Sequence, residues 1–320
     1  MTPQAAAPGH EVIVIGAGIS GLAAAEQLVR LDPAVRVTLL EATGRLGGFI
    51  HTERVPGFVL EEGPDVFLAS KPAAVELCTR LGLGERLQGT APGARGSRIL
   101  RRGRLYALPE GLSGLVPTRA GPFLRSPLLS WRGKLRAVAE VMVPRRRQPT
   151  EETIERFIVR RLGREMYDRL VEPLLSGIYA GDGGALSLDA TFPQLREQER
   201  RYGGLVRAAV AAQRHPSPTA GRTGFLSLPG GLSELVEELE RALVATGRVT
   251  IRRGAAVTAI GLDRDDDAAV SLHGGDTVRG AAVIACTPAA VTAALVEDLD
   301  PALAAELRAI RHSSTALVTV

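Results

Sequence analysis

The chain has 320 residues, of which 45% are hydrophobic and 23% are charged, and its formal net charge is +4 at pH 7. This apolar content argues against intrinsic disorder, and 36 glycines without a three-residue repeat argue against collagen. Two cysteines, Cys78 and Cys286, cannot build a disulfide framework, and no Cys/His set has zinc spacing. We therefore expect a cytoplasmic protein without a metal site, with neither a signal peptide nor an apolar run long enough to span a bilayer.

The first predicted elements form a dinucleotide cradle. The apolar run at 12–15 indicates a buried parallel strand, residues 22–28 indicate a helix, and residues 35–40 indicate a second strand that ends at Glu41. Between the first strand and the helix lies the G-x-G-x-x-G motif, formed by Gly16, Ala17, Gly18, Ile19, Ser20 and Gly21. Such glycines allow a tight turn, approach to a pyrophosphate and close helix packing, while Glu41 can accept from ribose hydroxyls. NAD and FAD both use this cradle, so the motif alone does not choose between them.

The residues after Glu41 and Ala42 favour FAD. Residues 43–48 read T-G-R-L-G-G, which resembles the extended fingerprint of the FAD-binding amine oxidase superfamily. The resemblance implies that Arg45, Gly47 and Gly48 lie along the FAD, with Phe49 packed near the flavin. A surface role for Arg45 is the alternative.

Three further segments narrow the resemblance. Residues 61–67 (E-E-G-P-D-V-F), 171–182 (V-E-P-L-L-S-G-I-Y-A-G-D) and 224–232 (G-F-L-S-L-P-G-G-L) are similar to segments of the oxygen-dependent protoporphyrinogen and coproporphyrinogen oxidases. In that family the Gly-Pro turn runs under the flavin ring, which implies FAD contacts by Gly63, Pro64, Asp65 and Val66. Val66 replaces the usual serine and removes one hydroxyl contact.

Residues 95–147 are strongly basic. They hold thirteen Lys or Arg and two acids, a net charge of +11, which leaves −7 for the rest of the chain. Such a segment either faces an anionic ligand or an anionic lipid, or is a solvated arginine-rich surface. Nucleic-acid binding is the least favoured interpretation, because no known nucleic-acid-binding motif accompanies the charge. By resemblance, Arg98 contacts a substrate carboxylate, although the neighbouring arginines compete for this role.

A helix is predicted from Thr150 to Ser176, capped near Thr150, because its apolar residues recur with a period near 3.6. It should stop at Gly177 and leave Tyr179 in a glycine-flanked loop, where the tyrosine either lines a substrate cavity or fills a gap in the core.

The remaining pattern predicts short strands at 249–251, 257–262 and 270–272, an acidic hairpin tip at 263–267, and a buried strand at 281–285. By resemblance the backbone of Val257 meets the adenine, although a core role for this valine is almost as well supported. Residues 316–320 read as a strand. Nothing after Pro288 resembles the second glycine-rich FAD motif that family members carry at their C-terminus, so the chain is expected to correspond to the N-terminal two-thirds of such an enzyme and to bind FAD poorly alone.

The predicted fold class is mixed α/β, with a Rossmann-like FAD-binding domain assembled from discontinuous segments, a substrate-binding region, and a helical region that can face a membrane. The expected segments are 1–78 and 216–295 for FAD, 79–215 for the substrate and helical region, and 296–320 for the start of a second substrate segment.

The resemblance implies oxidation of a porphyrinogen to the porphyrin, with FAD accepting hydride and O2 reoxidising the flavin to give H2O2. No side-chain acid or base is predicted. The protein can also attach peripherally to the inner face of the cell membrane, and it can form a homodimer. The alternatives are another FAD amine oxidase or carotenoid desaturase, an NAD-dependent dehydrogenase, and an inactive FAD-binding remnant.

Overall fold

The computed structural model describes residues 10–69, 71–91, 98–109, 112–113, 116–117, 120–146, 150–179, 181–214, 224–263 and 267–318. The strands are β1 (Glu11–Ile15), β2 (Arg36–Glu41), β3 (Thr52–Val55), β4 (Phe58–Glu61), β5 (Phe67–Leu68), β6 (Gln88–Gly89), β7 (Arg98–Arg101), β8 (Arg104–Ala107), β9 (Leu112–Ser113), β10 (Val116–Pro117), β11 (Phe225–Ser227), β12 (Val249–Arg253), β13 (Val257–Leu262), β14 (Ala268–Leu272), β15 (Thr277–Gly280) and β16 (Ala282–Ala285). The α-helices are α1 (Ile19–Leu31), α2 (Pro72–Arg80), α3 (Ala120–Arg125), α4 (Trp131–Val138), α5 (Ile154–Leu162), α6 (Arg164–Met166), α7 (Glu172–Tyr179), α8 (Leu188–Thr191), α9 (Pro193–Tyr202), α10 (Leu205–Arg214), α11 (Ser233–Ala245), α12 (Ala289–Leu295) and α13 (Pro301–Ala309). No helix among the described residues is both long and apolar enough to cross a bilayer.

The chain divides into two compact units. Unit 1 combines Met1–Thr90 with Arg222–Val320, and unit 2 is Ala91–Gly221. A mixed α/β fold is confirmed, because unit 1 is built on a parallel sheet with helices and unit 2 is mostly helical.

Unit 1 is organised around a four-stranded parallel sheet in the order β12–β2–β1–β16. The continuous apolar run of β1 suits this position, since both faces of the sheet are covered. Val12 and Val14 pack into the cluster that contains α1 and α11 residues, while Ile13 and Ile15 pack into the opposite cluster with the antiparallel β13–β14–β15 sheet.

The predicted strand at 281–285 is only partly correct. Residues Ala282–Ala285 do form β16, which is parallel to β1. The strand is not buried, however, because it lies at the edge of the sheet, with Ala282 and Ala285 exposed.

Unit 2 corrects the helix predicted over 150–176. Thr153 rather than Thr150 is the N-cap of α5, since its hydroxyl accepts from the Arg156 N–H. Gly163, with φ of +97°, ends α5 in a conformation that favours glycine. A π-helical turn at Tyr167–Val171 then leads into α7, where Pro173 lacks a backbone N–H.

The predicted stop at Gly177 is also wrong. Helix α7 continues through Gly177, so Tyr179 is the last residue of a helix and not part of a loop. Residues 316–318 have no regular structure, contrary to the strand predicted at 316–320, since no neighbouring strand among the described residues pairs with them. Residues 319–320, and 264–266 of the predicted acidic tip, lie outside the described residues.

Candidate functional site

The glycine-rich turn between β1 and α1 is closely packed. A Cβ atom added to Gly21 would lie 1.9 Å from the Gly16 carbonyl oxygen, so no larger residue fits without moving the backbone. The Gly16 N–H donates to the Leu40 carbonyl at 2.8 Å, which ties the turn to the end of β2. The sequence therefore places the start of α1 at the carboxyl end of the central strands, where ligands bind in open α/β sheets.

The N-terminus of α1 is suited to an anion. This helix has 13 residues, its N-cap is Gly18, no side chain caps it, and its first turn contains no acidic residue. The first N–H groups of a helix lack intrahelical acceptors and carry the positive end of the helix dipole. Ser20 is exposed in this turn and Ile19 is partly buried. The arrangement offers backbone donors to a phosphate.

Glu41 links this turn to the following loop. One carboxylate oxygen accepts from the Ala17 N–H at 2.9 Å, and the other accepts from the Thr43 N–H and hydroxyl, each at 2.9 Å. The carboxylate thus lies beside the turn, and Ala42 after it is exposed. A negative charge here favours a ribose diol over a ribose phosphate.

The loop that contains Arg45 packs directly on the turn. The Gly47 N–H donates to the Ala17 carbonyl at 2.8 Å, and Gly48 approaches Gly18 so closely that a Cβ on Gly48 would lie 3.0 Å from the Gly18 Cα. The Arg45 guanidinium donates to the loop's own carbonyls, those of Gly48 at 2.8 Å, Ile50 at 3.0 Å and Leu46 at 3.3 Å. In this structure Arg45 therefore holds the glycine loop in shape.

The Gly63 segment lies against the same loop. A Cβ on Gly63 would lie 1.9 Å from the Phe49 carbonyl oxygen, and the Glu62 N–H donates to the His51 carbonyl at 2.8 Å. The side chain of Phe49 is 81% exposed beside this contact. Pro64 and Asp65 are exposed and Val66 is partly buried, with the Asp65 carbonyl accepting from the Ser227 hydroxyl at 2.9 Å. Three predicted segments, 16–21, 41–49 and 63–66, are thus joined in unit 1.

The other predicted site residues lie elsewhere. Val257 begins β13 in unit 1 and is partly buried against the apolar cluster that contains Ile13 and Ile15. Arg98 and Tyr179 belong to unit 2, at the start of β7 and the end of α7. Arg98 is exposed, and the Tyr179 ring meets Phe192 edge-on with centroids 5.8 Å apart.

Sequence reasoning missed one polar junction in unit 1. The Thr52 N–H donates to the Ser233 hydroxyl at 2.9 Å, the Ser233 N–H donates back to the Thr52 hydroxyl at 3.0 Å, and Glu61 accepts from the Leu232 N–H at 2.6 Å. These bonds join the β3–β4 hairpin to the N-terminus of α11. The available signal was the run Gly230-Gly231-Leu232-Ser233, in which a glycine turn is followed by the first residue of a helix. Beside this junction is a cavity of about 470 Å³, lined in part by Arg45, His51, Ser233 and Arg253.

Comparison with known proteins places this geometry in a family. The model of the flavin containing amine oxidoreductase family matches residues 19–320. The chain belongs to this family. It is 34% identical over 317 residues to a coproporphyrinogen III oxidase of Bacillus subtilis (strain 168), a match that covers 97% of this chain and 66% of the relative.

Two further proteins show the same relationship. A protoporphyrinogen oxidase of Homo sapiens is 34% identical over 331 residues, covering 98% of this chain and 67% of the relative. The crystal structure of a protein from Exiguobacterium sp. 255-15 superposes with a TM-score of 0.75 at 33% identity, over 90% of this chain and 62% of that chain. This chain of the amine oxidoreductase family thus spans about two thirds of the length of the curated relatives it matches.

Membership of this family makes FAD the cofactor. The residues present fit FAD. The N-terminus of α1 has no side-chain cap, and the close contact at Gly21 keeps this helix end near the sheet. The Glu41 carboxylate lies beside the same glycine turn, where it accepts from the Ala17 N–H. The family also excludes the NAD-dependent dehydrogenase that the glycine motif alone left open.

Proposed function

We propose that this protein oxidises a porphyrinogen, either coproporphyrinogen III or protoporphyrinogen IX, to the corresponding porphyrin in heme biosynthesis. The observation that carries the proposal is the 34% identity over 97% of the chain to a coproporphyrinogen III oxidase. The segments 61–67 and 171–182 support it, because the second of these is not shared by amine oxidases in general.

The reaction removes six hydrogen atoms from the macrocycle. With O2 as the acceptor, three O2 become three H2O2 for each porphyrin formed. Bound FAD would supply the two-electron acceptor, as flavins do in oxidases. In this chain, the α1 N-terminus and Glu41 would hold the dinucleotide, and the joined loops around Phe49, Gly63 and Val66 would support the flavin end.

We assign the substrate contacts to unit 2. Arg98 is exposed and has no ion-pair partner among the described residues, so its guanidinium is free to take a carboxylate in bidentate fashion. Tyr179 is 39% exposed at the end of α7 and offers a polar tip on an aromatic ring.

The proposed activity can be tested by porphyrin fluorescence. The chain is supplied with saturating FAD and either porphyrinogen in air, and emission is followed against a sample without protein. We expect FAD-dependent porphyrin formation with three O2 consumed per porphyrin. Arg98→Gln should raise KM more than it lowers kcat, whereas Arg36→Gln, at an exposed arginine of β2 in unit 1, should leave both near wild type. A rate equal to autoxidation, at FAD concentrations shown to saturate the chain, would contradict the proposal in favour of a remnant that only binds FAD.

We further propose peripheral association with an anionic bilayer through α4. Trp131, Leu135, Val138 and Met142 recur at helical spacing, and all four are exposed, with Trp131 at 70% and Met142 at 77%. Such an apolar row in a segment of net charge +11 complements a surface that is both apolar and anionic.

Trp131 is the only tryptophan of the chain, so its emission reports this surface directly. Vesicles that contain phosphatidylglycerol should shift its emission to shorter wavelength, and salt should weaken the shift. The variant Leu135→Asp/Met142→Asp should lose the shift, whereas Val244→Asp, an exposed site on α11, should keep it. No shift with wild type would contradict the proposal; a dimer seen by sedimentation and abolished by the double variant would identify a second copy as the occupant instead.

A further inference from the structure

Arginines form part of the lining of a cavity in unit 2. It has a volume of about 410 Å³ and lies between the segment that follows α4 and the turn between α9 and α10. Arg145, Arg201 and Arg207 line it, and none of the described residues that line it is acidic. The rest of its wall is Val141, Met142, Val143, Pro144, Tyr202 and Gly203.

The three guanidinium groups are oriented but not neutralised. Arg145 donates to the Arg200 carbonyl at 3.4 Å, Arg207 donates to the Val141 carbonyl at 3.1 Å, and Arg201 stacks over Tyr202 at 5.3 Å from the ring centre. None of the three forms an ion pair with a carboxylate in the part of the chain that the structure describes. Most of their N–H donors are therefore left for another acceptor.

This contrasts with other arginines of unit 2. Arg160 and Arg196 each pair with two or more carboxylates, drawn from Glu152, Asp189 and Glu199. Carboxylates are thus available to pair with arginines in this unit. Arg145, Arg201 and Arg207 have no such partner among the described residues, and all three line one cavity.

A buried arginine beneath the cavity binds two of the residues that line it. Arg161 is fully buried, and its guanidinium donates to the Val143 carbonyl at 2.7 Å and to the Gly203 carbonyl at 2.6 Å. Glu140, also fully buried, lies 3.2 Å from Arg161 and accepts from the Leu205 and Val206 N–H groups. Two lining residues from separate segments are therefore fixed by one buried ion pair, so the cavity is a built feature of the fold.

We infer that this arginine cavity is a binding site for the phosphate group of a phosphate ester. Three arginines that line one space match a group with several oxygens and up to two negative charges, and arginine binds phosphate in bidentate geometry. The apolar wall at Val141, Met142 and Pro144 leaves room for a carbon-bearing ester. The inference stands on unit 2 alone and does not depend on the porphyrinogen reaction.

The ester can come from a lipid headgroup or from a soluble molecule, and the experiment separates these sources. In the first arm, inorganic phosphate and glycerol 3-phosphate are titrated into the full chain by calorimetry at constant ionic strength, with chloride as the reference anion. In the second arm, flotation compares phosphatidylcholine vesicles with and without phosphatidic acid. The variants are Arg145→Gln/Arg201→Gln/Arg207→Gln, the single Arg201→Gln, and a control of equal charge loss in unit 1, Arg36→Gln/Arg241→Gln/Arg311→Gln.

We expect the triple cavity variant to weaken phosphate binding by about tenfold or more, Arg201→Gln to weaken it less, and the unit 1 control to bind like wild type. Binding in the first arm that the triple cavity variant loses identifies a soluble ester. Flotation with phosphatidic acid vesicles alone that the triple cavity variant loses and the unit 1 control keeps identifies a lipid headgroup, since binding through α4 would survive in both variants. Either result supports the site. Far-UV circular dichroism and the Tm in chloride verify that each variant is folded. Equal binding by wild type and the cavity variants, no binding in either arm, or arginine-dependent binding of coproporphyrin but not of phosphate would overturn the inference.

Discussion

At the scale of single residues, the proposed cofactor site contains two close backbone contacts. The absence of a side chain at Gly21 lets α1 touch the Gly16 carbonyl, and its absence at Gly63 lets the Gly-Pro segment touch the Phe49 carbonyl. Each contact joins parts of the chain that the sequence predicts to bind FAD. A methyl group at either position would have to displace backbone, which cannot move as a flexible side chain would.

Gly21→Ala tests the first contact. The added Cβ would lie 1.9 Å from the Gly16 oxygen, so we expect a loss of about 2 kcal/mol or more in the free energy of unfolding, from overpacking. FAD affinity should fall as well, because the helix end moves away from the sheet. Urea unfolding and FAD titration measure the two effects. Gly121→Ala in α3 of unit 2 is the control, since a Cβ there meets no atom within 4 Å, and it should lower neither quantity.

At the scale of elements, a buried charge cluster holds the helices of unit 2 together. Glu152 lies just before α5 and accepts from Arg160 of α5 and Arg196 of α9, each contact at 3.0 Å. Burial tends to raise the pKa of Glu152, but the hydrogen bonds and charges of the two arginines outweigh it, and the pKa is lowered overall. A carboxyl group with a lowered folded-state pKa stabilises the protein above its unfolded-state pKa, and that stabilisation is lost as the pH falls through the folded-state value.

Glu152→Gln should therefore destabilise the protein by about 3 kcal/mol at pH 7, the usual cost of breaking a buried pair. The difference from wild type should shrink as the pH falls below about 4.3, where the unfolded carboxyl group becomes protonated. Urea unfolding from pH 7 to pH 3 measures this. Glu151→Gln, at the exposed neighbouring position, should show no such pH-dependent difference. A difference that stays constant across this range would show that the charge of Glu152 has no part in stability.

The sequence predicts elements better than it predicts these contacts. The strand–turn–helix–strand of residues 11–41 follows from local patterns, namely an apolar run, a glycine turn and a terminal acid. The division of residues 150–179 into α5, α6 and α7 does not follow from such patterns. The apolar residues keep a helical period across Gly163 and Pro173, although the helix is interrupted there. Arg161 occupies the apolar face beside Phe157 and Ile158, which was a readable signal of a buried charge, but its partner Glu140 lies far along the chain.

At the scale of the whole molecule, unit 2 is inserted into the sequence of unit 1, so unit 1 consists of two separate segments of the chain. Unit 1 draws its sheet from both ends of the sequence, since β12 and β16 pair with β2 and β1. The glycine motif near the N-terminus therefore lies in a sheet that strands beyond residue 222 complete on both sides. The segment 95–147, with its net charge of +11, lies entirely in unit 2. The excess of positive charge that the sequence shows is therefore located in unit 2 and not in unit 1.

The central claim is that unit 1 carries an FAD site built on the α1 N-terminus and Glu41. Isothermal titration of the chain with FAD, ADP and NADP⁺ tests it most directly. We predict saturable binding of one FAD per chain, whatever its affinity, competition by ADP, and much weaker binding of NADP⁺, whose extra phosphate would meet the Glu41 carboxylate. Failure to detect saturable FAD binding, or binding of NADP⁺ as tight as that of FAD, would contradict the account.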